Sequence, residues 1–129
     1  MLKTLIPAAI ILTLLSTQAQ AQSQCITKRE LLTQLNNNRE ALNLPILILE
    51  PKLPTNLNQS SNTLRSLKVG RDRSIGYKTI VKILPLGVKP NISIGFGLDR
   101  YVNVDTKPIS GDNCRFVVTY GELFNLAPN

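Results

Sequence analysis

The side chains that could do chemistry in this chain are carboxylates, lysines and hydroxyls, because its 129 residues include no histidine. Serine or cysteine nucleophiles activated by an imidazole, histidine general acid–base catalysis and the common zinc hydrolase sites all need that ring, so these classes fall together. A serine–lysine arrangement lacks its Ser-x-x-Lys signature, and Ser66 and Ser74 stand near lysines only because the region is rich in them. Two carboxylates could cleave a glycosidic bond, and Glu50, Asp72, Asp99, Asp105, Asp112 and Glu122 are the acids that follow the expected N-terminal helix. Most of them border expected turns or strand ends, where Asp bonds local backbone, and a carboxylate general acid also needs an apolar pocket to raise its pKa. Asp99, Asn103 and Asp105 could offer oxygens to calcium but lack a glycine-punctuated acidic loop. No catalytic residue, metal or cofactor is therefore assigned.

Gly95-Phe96-Gly97 has the look of a phosphate-loop fragment, yet its neighbours are strand-like and no helix N-terminus follows, so a bend in a strand is expected. Asn58-Gln59-Ser60 and Asn91-Ile92-Ser93 fit the glycosylation pattern, and both matches are read as chance.

The strongest candidate for a binding surface is basic. Arg65, Lys68, Arg71 and Arg73, extended by Lys78 and Lys82, contain Asp72 as their only acid, in a chain whose formal net charge is +7. Such a stretch suits an acidic protein patch or a polyanionic envelope component. Single-stranded nucleic acid is a poor match, since it would want several aromatics among the cations and only Tyr77 is near. The competing reading is a solvated surface that keeps the protein soluble.

Export frames these residues. Met1 and Lys3 precede an apolar run from Leu5 to Leu15, and a polar stretch ends in Ala19-Gln20-Ala21, which is the plan of a cleavable signal peptide over residues 1–21. Ser16, Thr17 and Gln18 close the run before it could span a bilayer, and no later segment could do so. The remainder, 22–129, has one domain's length. Outside the cytoplasm its two cysteines, Cys25 and Cys114, are expected to form a disulfide that closes nearly all of that chain.

The elements that must position these groups begin with a helix. Thr27-Lys28-Arg29-Glu30 is a capping box, Leu31, Leu35 and Leu42 share one face, and Asn43 with Pro45 marks the end. Ile46-Leu47-Ile48-Leu49, bracketed by prolines, predicts a central strand buried on both faces. From Pro51 to Ser74 a long polar connection follows, with one helical turn expected around Thr63–Lys68. Period-two patterning then predicts strands near 77–83, 92–98, 101–106 and 114–120, with Cys114, Phe116, Val118 and Tyr120 on one face. The expected fold is α+β: one N-terminal helix packed on a mainly antiparallel sheet of four to six strands, stapled by one disulfide. The expected function is that of a small periplasmic or secreted binding or accessory protein, such as an inhibitor, an immunity factor or an accessory of an envelope machine, acting through the basic stretch. The alternatives are a structural subunit of an envelope assembly and, behind it, a small carboxylate-dependent hydrolase.

Overall fold

The computed structural model of the chain describes residues 24–125, and the signal-peptide reading of residues 1–21 falls outside them. Helix α1 (Lys28–Ala41) starts where the capping signal puts it, the Thr27 hydroxyl accepting the Glu30 N–H at 3.1 Å. The Glu30 carboxylate bonds the Thr27 hydroxyl at 3.2 Å rather than its backbone, so only half of the expected box forms. At the other end Asn43 adopts a positive φ of 60°, and the N–H groups of Asn43 and Leu44 reach back to the carbonyls of Glu40 and Arg39. This closure satisfies carbonyls that the last turn leaves without partners. It also ends the apolar stripe early. Leu31, Leu35 and Arg39 are the buried residues of α1, whereas Leu42, expected on that face, caps the helix and is 60% exposed.

Five strands follow: β1 (Ile48–Leu49), β2 (Ser61–Lys68), β3 (Arg73–Pro85), β4 (Tyr101–Ile109) and β5 (Asn113–Asn125). They form one sheet in the order β1-β4-β5-β3-β2, antiparallel except for the β1–β4 pair. The α+β expectation and the single disulfide both hold: Cys25 and Cys114 are bonded, with their Cα atoms 5.9 Å apart.

Three expected elements differ. Residues 46–49 are not a central strand: only Ile48 and Leu49 pair, at the sheet edge, and both are exposed. Leu47 alone turns inward, and the Asn36 side chain takes both of its backbone groups, accepting its N–H at 2.8 Å and donating to its carbonyl at 3.2 Å. An amide from the helix thus stands in for a neighbouring strand. The helical turn expected at Thr63–Lys68 is instead part of β2, drawn into the sheet by the open edge of β3. Residues 92–98 form an irregular loop, because other groups take the backbone positions that a ladder would need, as described below.

The two faces of the sheet are covered differently. On one, Leu31 and Leu35 pack with Val102, Val104, Cys114, Phe116, Val118 and Tyr120, the last four on the face predicted for them. Over the other runs the chain from Pro51 to Ser60. It buries Leu53, its Pro54 carbonyl accepts the Thr119 hydroxyl at 2.6 Å, and its Leu53 carbonyl accepts the Asn103 amide at 2.8 Å. Under this strap Thr79 and Thr119 share a hydrogen bond at 3.0 Å, so neither buried hydroxyl is left without a partner. Gly121 leaves room for the Ile75 side chain of β3 beneath the strap: a Cβ there would lie 2.4 Å from Ile75 Cγ2, whereas the strap's Leu53 would stand at 3.5 Å.

Candidate functional site

The helix covers only part of its face. Over the remainder, toward β3 and β2, lies the loop 91–99, and what holds that loop is Arg39. The guanidinium is fully buried and donates to four carbonyls: Pro45 at 2.7 Å, Ile94, Phe96 at 3.3 Å and Asp99 at 3.4 Å. Burial pulls its pKa below the ordinary value while the nearby Asp99 charge pulls it back, and arginine stays protonated throughout. The Asp99 carboxylate accepts the Phe96 N–H at 2.7 Å, closing the turn Phe96–Asp99. Gly95 takes a φ of +77°, and a Cβ on it would lie 2.6 Å from the Asp99 carboxylate and 2.9 Å from the Tyr120 ring. The glycine read as a strand bend is thus required by a left-handed turn packed against two side chains.

Tyr120 anchors the same loop through its hydroxyl, which donates to the Ser93 carbonyl. Burial, reinforced by the Asp99 carboxylate and opposed by Arg39, holds the Tyr120 pKa above its ordinary value of 10.0. A pKa raised on folding means that the protonated phenol stabilises the native state, fully below the unfolded value and progressively less as pH rises past it. Unfolding midpoints measured in denaturant should therefore fall above about pH 10, and Tyr120→Phe should remove that alkaline fall while costing about 1 kcal/mol at neutral pH for the lost bond.

Between this loop and the outer strands lies a groove. Its larger part is a cavity of 250 Å³ lined by Ser61, Asn62, Lys78, Phe96, Asp99 and Tyr120 among others. An adjoining cleft of 110 Å³ shares Lys78, Phe96, Asp99 and Tyr120 and adds Leu64, Gly76 and Glu122. The Lys78 ammonium lies 5.1 Å from the centre of the Phe96 ring, a cation–π contact that holds a mostly exposed aromatic over β3. The groove is thus apolar at its rim and charged at its floor.

Of the six basic residues singled out in the sequence, the strands bring some together and separate others. Cross-strand partners share a face, so Lys68, Lys78 and Lys82, opposite or in step with Ser74, Tyr120 and Phe116, belong to the groove face. Arg65 and Arg73 belong to the strap face, and Arg71 sits in the turn between β2 and β3. Arg65, Lys68, Arg71 and Arg73 are exposed; Lys78 and Lys82 are half-buried, Lys82 donating to the Asn91 carbonyl. Among the described residues two ion pairs form, Lys28–Asp105 and Arg115–Asp105, and neither uses any of the six.

The acids are scattered. Asp105 is taken by that pair of cations, Asp99 by the loop, and the Asn103 amide by the strap. Tyr101 to Asp105 alone covers about 13 Å of strand, so Asp99 and Asp105 do not form the close carboxylate pair of a glycosidase. Among the described residues no cluster of three or more His, Cys, Asp or Glu side chains could hold a metal ion, and no helix there is long and apolar enough to cross a membrane. What sequence reasoning missed is Arg39. Its signal was present: it stands four residues after Leu35, where the buried stripe of the helix calls for another leucine.

No family model matches the chain, and neither a curated protein nor a solved structure matches it.

Proposed function

We propose that the chain is an exported binding or accessory protein that engages an acidic partner through the β2–β3 hairpin. One observation carries this reading: the hairpin that holds the outermost strand also holds four exposed cations, Arg65, Lys68, Arg71 and Arg73, without a carboxylate paired to any of them among the described residues. The Cys25–Cys114 bond supports an oxidising compartment. The Arg39-clamped loop beside the hairpin supports binding over turnover, since Asp99 and Tyr120, the polar groups nearest the groove floor, are already committed to holding the backbone.

The test is a fourfold variant, Arg65→Ala, Lys68→Ala, Arg71→Ala and Arg73→Ala, used to capture the partner from the cell envelope at low ionic strength. Capture should fall at least about tenfold, and the wild-type signal should weaken steeply with salt, as screening of exposed charges requires. Undiminished capture by the variant would refute the proposal.

A second reading, the structural subunit, is favoured by a different observation. At the opposite edge Leu42, Ile46, Ile48 and Leu49, all within eight residues, are each at least 51% exposed. Exposed large apolar groups so close in sequence suit a protein contact. Sedimentation at high concentration separates the two readings, because a monomer counts against assembly.

A further inference from the structure

The open edge of β2 has a defined hydrogen-bonding face. The Val69 N–H bonds the Arg73 carbonyl at 3.0 Å, which makes 69 and 73 a bonded pair in the antiparallel register. Bonded and non-bonded pairs alternate along such a ladder. Leu67 with Ile75 and Arg65 with Tyr77 are therefore bonded inward, and the N–H and C=O groups of Ser66 and Lys68 point away from the sheet. At the far end, past the last β2–β3 pair, it is β3 that is closed: the Ser60 hydroxyl accepts the Val81 N–H at 2.8 Å and donates to its carbonyl at 3.2 Å. Next to it the register shifts, so that Asn62, Thr63 and Leu64 all stand opposite Lys78 alone. This bulge re-aims Asn62 into the groove and leaves Arg65–Lys68 as a short, regular, open stretch.

We infer that this stretch receives an added strand, an extended acidic segment of the partner that pairs with the outward backbone groups of Ser66 and Lys68. Charge selects the occupant. β2 carries Arg65 and Lys68 and no acid, and the turn beyond it adds Arg71 and Arg73. Two copies of β2 set edge to edge would bring these cations together, which disfavours a second copy of this chain. A foreign strand with glutamate or aspartate at alternate positions instead meets Arg65 on the strap face, which turns its remaining side chains to the groove face. An apolar side chain of the same strand lies beside Leu64, 49% exposed, at the mouth of the 110 Å³ cleft, whose floor Gly76 leaves low. Backbone bonds then supply affinity, and the flanking charge and cleft supply selectivity. The inference rests on the hairpin reading above and adds the partner's conformation to it.

The probe is a labelled octapeptide of alternating valine and glutamate, titrated against the disulfide-bonded protein. Its controls are the same peptide N-methylated at alternate residues, the valine–lysine analogue, and a sulfated polysaccharide as a polyanion without a peptide backbone. We expect binding of the valine–glutamate peptide, at least tenfold weaker binding of the N-methylated form, none of the lysine form, and slowed amide exchange at Ser66 and Lys68. Ser66→Pro removes the outward N–H at an edge position where proline is tolerated, and should weaken the peptide at least tenfold while sparing the polysaccharide. If that variant does not fold, the N-methylated peptide still decides the matter on the unaltered protein. Equal binding of plain and N-methylated peptides would overturn strand addition and leave the charged hairpin standing. Binding of the polysaccharide without the peptide would do the same, and binding of neither would sink both readings. A concentration-dependent dimer that protects the Ser66 and Lys68 amides without peptide would overturn the choice of occupant.

Discussion

Replacing Cys25 and Cys114 together by serine is expected to lower the free energy of unfolding by about 4–5 kcal/mol, the chain-entropy value for closing so long a loop. The bond spans 89 residues, so the unlinked denatured chain regains almost all of its freedom. A net stability of about 5–15 kcal/mol is usual for a domain, so the loss removes from about a third to nearly all of it. Equilibrium urea unfolding of the oxidised and double-serine proteins measures it directly. The native side contributes too, because Cys114 is 1% exposed within the helix-facing core and Cys25 packs on its border. Serine places hydroxyls where sulfurs filled space, so the measured loss should meet or exceed the entropic figure.

The second large effect belongs to Arg39. Arg39→Met keeps the length and apolar bulk of the stem but removes every donor, so the carbonyls of Pro45, Ile94, Phe96 and Asp99 lose a shared partner. Breaking a buried charged network in this way costs about 3–5 kcal/mol. Arg39→Lys should recover only a minor part, because an ammonium cannot present a planar fork to carbonyls from two segments of chain. Two readouts separate a local role from a global one. Thermal unfolding reports the total loss, whereas amide exchange across residues 91–99 should quicken more than exchange in β5, since the loop loses the group that fixes it. A uniform change across both regions would contradict the clamp.

Much of this fold was legible in the sequence where a local signal and a tertiary need coincide. The Thr27 cap, the cysteine pair and the Cys114–Phe116–Val118–Tyr120 face each declare themselves through residue type and spacing, and each holds in the folded chain. Two of the three misreadings share a physical cause: a side chain occupies a backbone position that pattern reasoning reserves for a strand. Asn36 satisfies Leu47, so residues 46–49 need no place at the centre of the sheet. Arg39 takes the carbonyls of Ile94 and Phe96, so the alternation from Ile92 to Leu98 never becomes a ladder. Both donors look unpromising when read alone, one an asparagine among poor helix formers and the other a charge on an apolar stripe. The groove was illegible for a related reason, because it is assembled by β2 and by a loop, two of the three regions whose secondary structure was misread. The six basic residues were found by charge alone, and charge gives no information on which side of a strand each one faces.

The disulfide has a mechanical consequence as well. Tension applied between residue 24 and residue 125 enters the covalent bond almost at once, because Cys25 and Cys114 short-circuit the chain between them. Peeling β5 from Cys114 to Asn125 frees a segment of at most about 40 Å that is already nearly extended as a strand, after which the load runs through sulfur. The β2–β3 hairpin lies inside the bypassed loop. A partner that pulls on the hairpin and an anchor that pulls on either terminus therefore load different parts of the molecule, and the bridged loop cannot be drawn out as a thread from its ends.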